Sequence, residues 1–344
     1  MKRKDIGDMS ELSLYSEAQT LRLGRAISPR MAIIHPTNRC NHACTGCEYA
    51  NVHTSLPAEF QEDELLELVD DVADLGVFSV LFSGGGEPSL NRYFGAALER
   101  AYQRKLTCGI FSNGAGIDDA LAKTIAATAT FIRISVDAST PKTFASIRRV
   151  HLNSFGQTKA NITKLIQAKA ETGSEVEIGL KFLVRDSNVH EIISFVEFAS
   201  ELGVSNVQFK PLRNEPEEPS GTDLGRALGF ITRAKSLYPD VKIGGGVSQS
   251  ICVETPCWIT PLRVVVSAEG DVHLCNYFNH RRDTHTIGNI KDTPLCDIWF
   301  SEAHKQALAN IDNKQCGLYD CRFHQLNTEL LSLAESHRSQ LDLI

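Results

Sequence analysis

The stretch Phe131-Ile-Arg-Ile-Ser-Val-Asp137 decides between two folds. In an extended strand successive side chains point to opposite faces, so Arg133, Ser135 and Asp137 share one face and Ile132, Ile134 and Val136 the other. A parallel sheet covered by helices on both sides needs two apolar faces. Here one face is polar. The run Val176 to Val184 repeats the pattern, with Glu177 and Lys181 on one parity against Ile178, Leu180 and Phe182, and Asn206 to Leu212 adds Gln208 and Lys210. An edge strand facing water accounts for one such strand but not for three in succession, so the polar faces are expected to line a lumen.

Outward from this stretch, further strand candidates are Met31 to Pro36, Phe78 to Phe82 and Thr107 to Ser112. Helical candidates are Asp63 to Leu75, Tyr93 to Arg104, Ile117 to Ala127, Ala160 to Glu171, Val189 to Leu202 and Asp223 to Leu237. Six strands alternating with six helices imply a parallel sheet with right-handed crossovers. The expected fold class is α/β: a partial (β/α)6 TIM-like barrel over residues 31–240, after an N-terminal extension at 1–30. A small cysteine-rich extension of β-hairpin plus helix is expected over 241–344.

The 344 residues, 42% of them hydrophobic, suffice for one large core or two unequal ones. No apolar run follows the opening Met-Lys-Arg-Lys-Asp-Ile-Gly-Asp and no long apolar stretch occurs, so neither a secretory signal nor a membrane span is expected and the location is read as cytoplasmic. A formal net charge of -7 argues against a nucleic-acid partner, which calls for a basic face. In a reducing compartment the ten cysteines read as metal ligands or catalytic groups before disulfides.

Three of them stand in Pro36-Thr-Asn-Arg-Cys40-Asn-His-Ala-Cys44-Thr-Gly-Cys47, after the first strand. Three thiolates leave a four-iron cluster one ligand short, and the free iron can bind a small molecule. Structural zinc is the rival, but it usually takes paired ligands from two knuckles, and only His42, inside the loop, is near. Catalytic sites of β/α barrels collect where strands end. There the second strand gives Phe82-Ser-Gly-Gly-Gly-Glu-Pro88 and the third Phe111-Ser-Asn-Gly114. The glycines suit close approach of a ligand, though a tight turn uses the same residues.

In order, the cysteine loop, Gly85-Gly86-Glu87-Pro88, Ser112-Asn113-Gly114 and Ile134-Ser-Val-Asp-Ala-Ser-Thr-Pro141 resemble the radical S-adenosylmethionine (SAM) enzymes over about residues 31 to 212. The resemblance implies that Cys40, Cys44 and Cys47 bind a 4Fe-4S cluster whose free iron takes the amino and carboxylate groups of SAM. It implies that Gly85, Gly86 and Glu87 contact the methionyl amino group, and Asn113, in the turn on the same rim, is a further cofactor-binding candidate. Ser135 and Asp137 would approach the carboxylate or ribose, Arg148 (or Arg149) the carboxylate, and Phe209 the adenine. The family's usual aromatic residue before the third cysteine is Gly46 here, and Tyr49 is a candidate to fill its place. Reductive cleavage of SAM to a 5'-deoxyadenosyl radical and hydrogen abstraction from a substrate are the implied chemistry, with an electron donor such as flavodoxin or ferredoxin. Lys181, Lys210 and Arg133, with Glu177, are the candidate substrate contacts in the lumen, cations suited to a carboxylate or phosphate; structural ion pairs are the alternative.

Toward the C-terminus, Val264 to Val266 and Val272 to Leu274 flank Ala268-Glu-Gly-Asp, a hairpin signal that brings Cys257 and Cys275 together. Cys316 and Cys321 follow an amphipathic run from Ile298 to Ile311. This resembles the SPASM or twitch extension of radical SAM enzymes and implies one auxiliary 4Fe-4S cluster on Cys257, Cys275, Cys316 and Cys321, with Cys252 and Cys296 as substitutes and a zinc knuckle as the rival. Four ligands close a cluster and favour electron transfer. Cys108, inside a strand, reads as a small buried apolar residue, with a hydrogen-donating thiol as the alternative. The leading expectation is oxidation, decarboxylation, epimerisation or rearrangement of a small polar metabolite such as a sugar, aminocyclitol or nucleoside. The alternative is a peptide-modifying maturase, weighed down by the short stretch before the first strand; an iron-sulfur carrier stands third. The Pro- and Glu-rich segment Arg213 to Thr222 reads as a linker or a lid.

Overall fold

The computed structural model describes residues 20–21, 26–55, 58–204, 206–212, 224–245, 257–312, 321 and 323–336. Seven parallel strands run in chain order: β1 (Met31–Ile34), β2 (Ser79–Phe82), β3 (Thr107–Ser112), β4 (Phe131–Ser135), β5 (Glu177–Val184), β6 (Asn206–Pro211) and β7 (Lys242–Gly244). The last is one more than the sequence pattern announces. On the other side of β1 the hairpin β8 (Arg263–Val266) and β9 (Asp271–His273), then β10 (Thr286–Asn289), continue the same sheet. Strand β8 pairs with β1 in parallel, Met31 opposite Arg263 and Ile34 opposite Val266. Among the described residues no helix is long and apolar enough to cross a membrane.

The helices between strands form where apolar side chains recur at helical spacing and a cap starts the turn. Helix Glu62–Asp74 buries Leu65, Leu68, Val69 and Val72 on one side. Asp118 caps helix Asp119–Thr128 by accepting from the Leu121 amide at 2.8 Å. Thr140 and Pro141 begin a separate helix, Pro141–Arg148, ahead of the long helix Asn153–Thr172. The amphipathic run from Ile298 to Ile311 falls on two helices, Leu295–Trp299 and Glu302–Ala309. They break at Ser301, whose hydroxyl caps the second by accepting from the His304 amide at 3.1 Å.

Strand parity sorts the core. Ile132, Ile134, Leu180, Phe182 and Val207 point toward the helices and are fully buried. Phe209 lies with them. Its ring packs 5.4 Å from Phe182 and 6.2 Å from Phe195 of helix Ile192–Glu201, so it belongs to the layer between sheet and helices. The expectation that Phe209 lies along an adenine is therefore corrected: Gln208 and Lys210 take the inward parity of β6 and leave Phe209 facing out.

The inward faces surround one cavity of about 470 Å3, lined by Met31 and Ile33 of β1, Leu81 of β2, Phe111 of β3, Ser135 of β4, Lys181 of β5 and Lys210 of β6. A single cavity touched by six consecutive strands means that the sheet curls around it, as a partial barrel does. Arg133 also takes the inward parity of β4. Its guanidinium pairs with the Glu177 carboxylate and lies 5.1 Å from the Phe131 ring centroid. Gly179 makes room for it, because a Cβ there would stand 2.8 Å from the guanidinium. Arg133 thereby braces β4 against β5, the structural ion pair that stood as the alternative to a substrate contact.

Candidate active site

The cysteine loop leaves β1 and docks on the end of helix Pro141–Arg148. The amides of Ala43 and Thr45 donate to the carbonyls of Arg148 and Ile147 at 3.2 and 2.9 Å, satisfying acceptors that a helix end leaves open. Gly46 adopts φ +62°, a conformation that suits glycine, and a Cβ there would touch Leu212 at 3.3 Å and Arg185 at 3.4 Å. Arg185, at the end of β5, is buried and donates to the Thr45 carbonyl at 2.8 Å and to its hydroxyl at 3.2 Å. The loop is thus held from two sides, and Cys40, Cys44 and Cys47 all face the cavity. Tyr49 lines the same cavity as Gly46. Its hydroxyl donates to the Asn276 carbonyl at 3.2 Å, next to Cys275.

Burial pushes the thiols of Cys40 and Cys47 up, to about 11 and about 12, and neighbouring cysteines push the same way. Thiols so placed resist ionising by themselves; a metal bound there would reverse that. Beside them Arg148 is buried and donates to Cys44 Sγ at 3.4 Å, while its Nε has no hydrogen-bond partner. Burial opposes its charge, but Asp137 and the thiols of Cys44 and Cys47 outweigh burial and hold the guanidinium protonated. Arg149 is exposed, whereas Arg148 lines the cavity. A buried cation against three thiols fits an anionic cluster. His42, the rival ligand, instead packs edge-on against Phe144, 6.1 Å between centroids.

The glycine turn after β2 wraps over the loop. Gly86 N donates to the Thr37 carbonyl at 2.9 Å, and Cβ atoms at Gly85 and Gly86 would stand 2.3 Å from Asn38 and 2.1 Å from the Arg39 carbonyl. Glu87 is buried, and burial raises its pKa. Its carboxylate accepts from Ser112 Oγ and Ser89 Oγ at 2.7 Å each and from the Asn113 amide at 2.6 Å. That carboxylate fastens the rim of β2 to that of β3. Asn113 in turn donates to Asn41 Oδ1 at 2.7 Å, within the cysteine loop. Ser135 and Asp137 line the same cavity, as do Lys181 and Lys210.

At the opposite end of the cavity stands the second cysteine set. Arg263 begins β8 level with Met31 at the start of β1, so the amino ends of the strands form the floor. Around Arg263 gather Cys275, Cys257 and Cys321. Burial pushes the Cys275 thiol up to about 12. Cys257 Sγ lies 2.9 Å from Thr260 Oγ1, and the Tyr277 amide donates to Cys275 Sγ at 3.4 Å. The helix His324–Ser336 closes this end, with Asn327 accepting from the Trp258 amide at 2.6 Å. Cys296 is exposed on helix Leu295–Trp299. Cys252, Cys316 and the 213–222 loop lie outside the described residues. Cys108 is fully buried in β3, among the apolar core. The sequence reading missed Arg185, Arg263, Asn276 and Tyr277, all of which face the cavity.

Comparison with known proteins agrees with this layout. Residues 34–199 match the radical SAM superfamily, and residues 257–322 match SPASM, an iron-sulfur cluster-binding domain. The tungsten-containing aldehyde ferredoxin oxidoreductase cofactor-modifying protein of Pyrococcus furiosus is 23% identical over 287 residues, covering 78% of this chain and 80% of its own. The PqqA peptide cyclase of Granulibacter bethesdensis is 24% identical over 294 residues, 79% of this chain and 74% of its own. In fold, Streptococcus suis SuiB bound to precursor peptide SuiA superposes with a TM-score of 0.66 at 15% identity, over 93% of this chain and 79% of that one.

Proposed function

Because the chain belongs to the radical SAM superfamily and carries a SPASM iron-sulfur domain, we propose that it abstracts a hydrogen atom from a residue of a peptide substrate. Cys40, Cys44 and Cys47 would hold the cluster, which with SAM would supply the hydrogen-abstracting radical. The chain's own residues do the rest. Arg148 and Arg185 hold the cysteine loop, Glu87 ties the rim, and Ser135 and Asp137 line the cavity where SAM would bind. Lys181 and Lys210 orient an acidic group of the substrate. The walls of the cavity exclude water from the reacting bond. Flavodoxin or ferredoxin is the proposed electron donor.

The observation that carries the peptide reading is that relatives spanning most of this chain include a peptide cyclase, while a peptide-bound enzyme shares its fold. The sequence expectation of a small metabolite stands second. It is favoured by the cavity, whose volume of about 470 Å3 suits a small molecule as well as one side chain. The test is deuterium transfer into 5'-deoxyadenosine from extracts of cells grown in heavy water. A signal that protease treatment of the extract abolishes supports the peptide; a protease-resistant signal in the low-mass filtrate overturns it in favour of the metabolite.

A further inference from the structure

Arg263 is a buried cation between the auxiliary cysteines and the lumen. It is 7% exposed, and it lines the cavity at the first position of β8. Its guanidinium donates to Asn276 Oδ1 at 3.4 Å and stacks 3.6 Å from the Phe323 ring centroid. Asn276 follows Cys275 directly and Phe323 lies two residues past Cys321, so both contacts fasten the guanidinium to segments that carry the cysteines. Burial pulls its pKa down, and Cys275, Cys257, Tyr277 and Cys321 pull the other way. A guanidinium nevertheless keeps its proton, because its ordinary pKa lies far above neutrality. A charge that cannot be discharged, in a medium of low dielectric, acts strongly on whatever the cysteines hold.

We propose that Arg263 is a positioning residue for electron transfer, a fixed positive charge that stabilises the reduced state of the auxiliary cluster and so raises its reduction potential. One-electron reduction adds one unit of negative charge to a cysteine-bound cluster, and a neighbouring cation favours the more negative state. The placement makes the auxiliary cluster the better electron acceptor toward the lumen. This goes beyond the substrate reading and holds for either substrate class.

The test uses the full chain with Cys40, Cys44 and Cys47 replaced by alanine, so that only the auxiliary cluster is read. Iron content and the midpoint potential, from a dithionite titration followed by electron paramagnetic resonance, are compared for Arg263, R263Q and R263K. The expected result is unchanged iron, a lower midpoint for R263Q and recovery of most of the shift in R263K. Unchanged iron with an unchanged midpoint in R263Q overturns the proposal. Should R263Q lose its iron, R263K decides: iron retained by the lysine variant supports a role of charge, and iron lost there too reduces Arg263 to packing and overturns it.

Discussion

Asp137 Oδ2 lies 2.7 Å from the Arg148 guanidinium, and the two side chains are 1% and 8% exposed. Asp137 holds φ +62°, uncommon for a residue with a side chain, and three contacts keep it there. Besides Arg148, its Oδ1 accepts from the Leu183 amide at 2.7 Å, and its carbonyl accepts from Asn188 Nδ2 at 2.9 Å. One residue thereby joins the end of β4, the end of β5 and the arginine beside Cys44.

Asp137→Asn keeps the acceptor for Leu183 and tolerates the left-handed backbone, so it removes the ion pair alone. Removing one partner of a buried ion pair costs up to about 3–5 kcal/mol, and the Cys44 Sγ contact that Arg148 keeps puts the expected loss at the lower end. Anaerobic urea unfolding should report that loss, and Asp137→Asn with Arg148→Met should recover part of it. Equal stability of Asp137→Asn and the wild type would show the pair to be idle.

Gly86→Ala would put a Cβ 2.1 Å from the Arg39 carbonyl, and backbone there cannot yield without moving the cysteine loop. SAM cleavage is expected to fall to background, measured as 5'-deoxyadenosine with dithionite as reductant. Gly95→Ala is the control. Its Cβ meets nothing within 4 Å in helix Phe94–Gln103, and a gain of up to about 1 kcal/mol is expected there.

Arg133→Met and Lys210→Met should part company. The first cuts a brace whose Glu177 partner is 41% exposed, and stability should fall by about 1 kcal/mol with turnover kept. The second removes a charged contact worth about 1.5–3 kcal/mol, so the KM for an acidic substrate should rise roughly 10- to 100-fold while uncoupled SAM cleavage persists. Loss of turnover in Arg133→Met would restore the arginine to the site.

Two four-iron clusters mean about eight irons per chain after anaerobic reconstitution, and the Cys40, Cys44, Cys47 triple alanine variant should keep about four. A wild-type value near four would remove the auxiliary cluster. The triple variant should make no 5'-deoxyadenosine.

Much of this was legible from alternation. The parity of Arg133, Ser135 and Asp137 pointed to a lumen, and six strands do surround a cavity. Parity says which face a residue takes but not what it pairs with there, which is why Arg133 read as a substrate contact while its guanidinium pairs with Glu177. Phe209 was a different error: its own parity, opposite to Gln208 and Lys210, already turned it outward. The pair Thr140 and Pro141 carried the signal for an extra helix. Arg263 carried none. Its place depends on β8 pairing with β1, more than 200 positions earlier, a long-range register that no local pattern encodes. Arg185 and Asn276 likewise acquire meaning only from partners at Thr45 and Tyr49.

The pairing of β8 with β1 also bears on what can be cut away. With the hairpin removed, β1 would present a row of open amides and carbonyls flanked by Ala32, Ile33 and Ile34, a sticky border of the kind that recruits other chains. The cysteine-rich end is therefore a selvage woven into the barrel, not an appendage. A chain shortened before residue 257 should aggregate instead of surviving as a working core, and transplanting this end onto another barrel means matching a strand edge as well as a cluster.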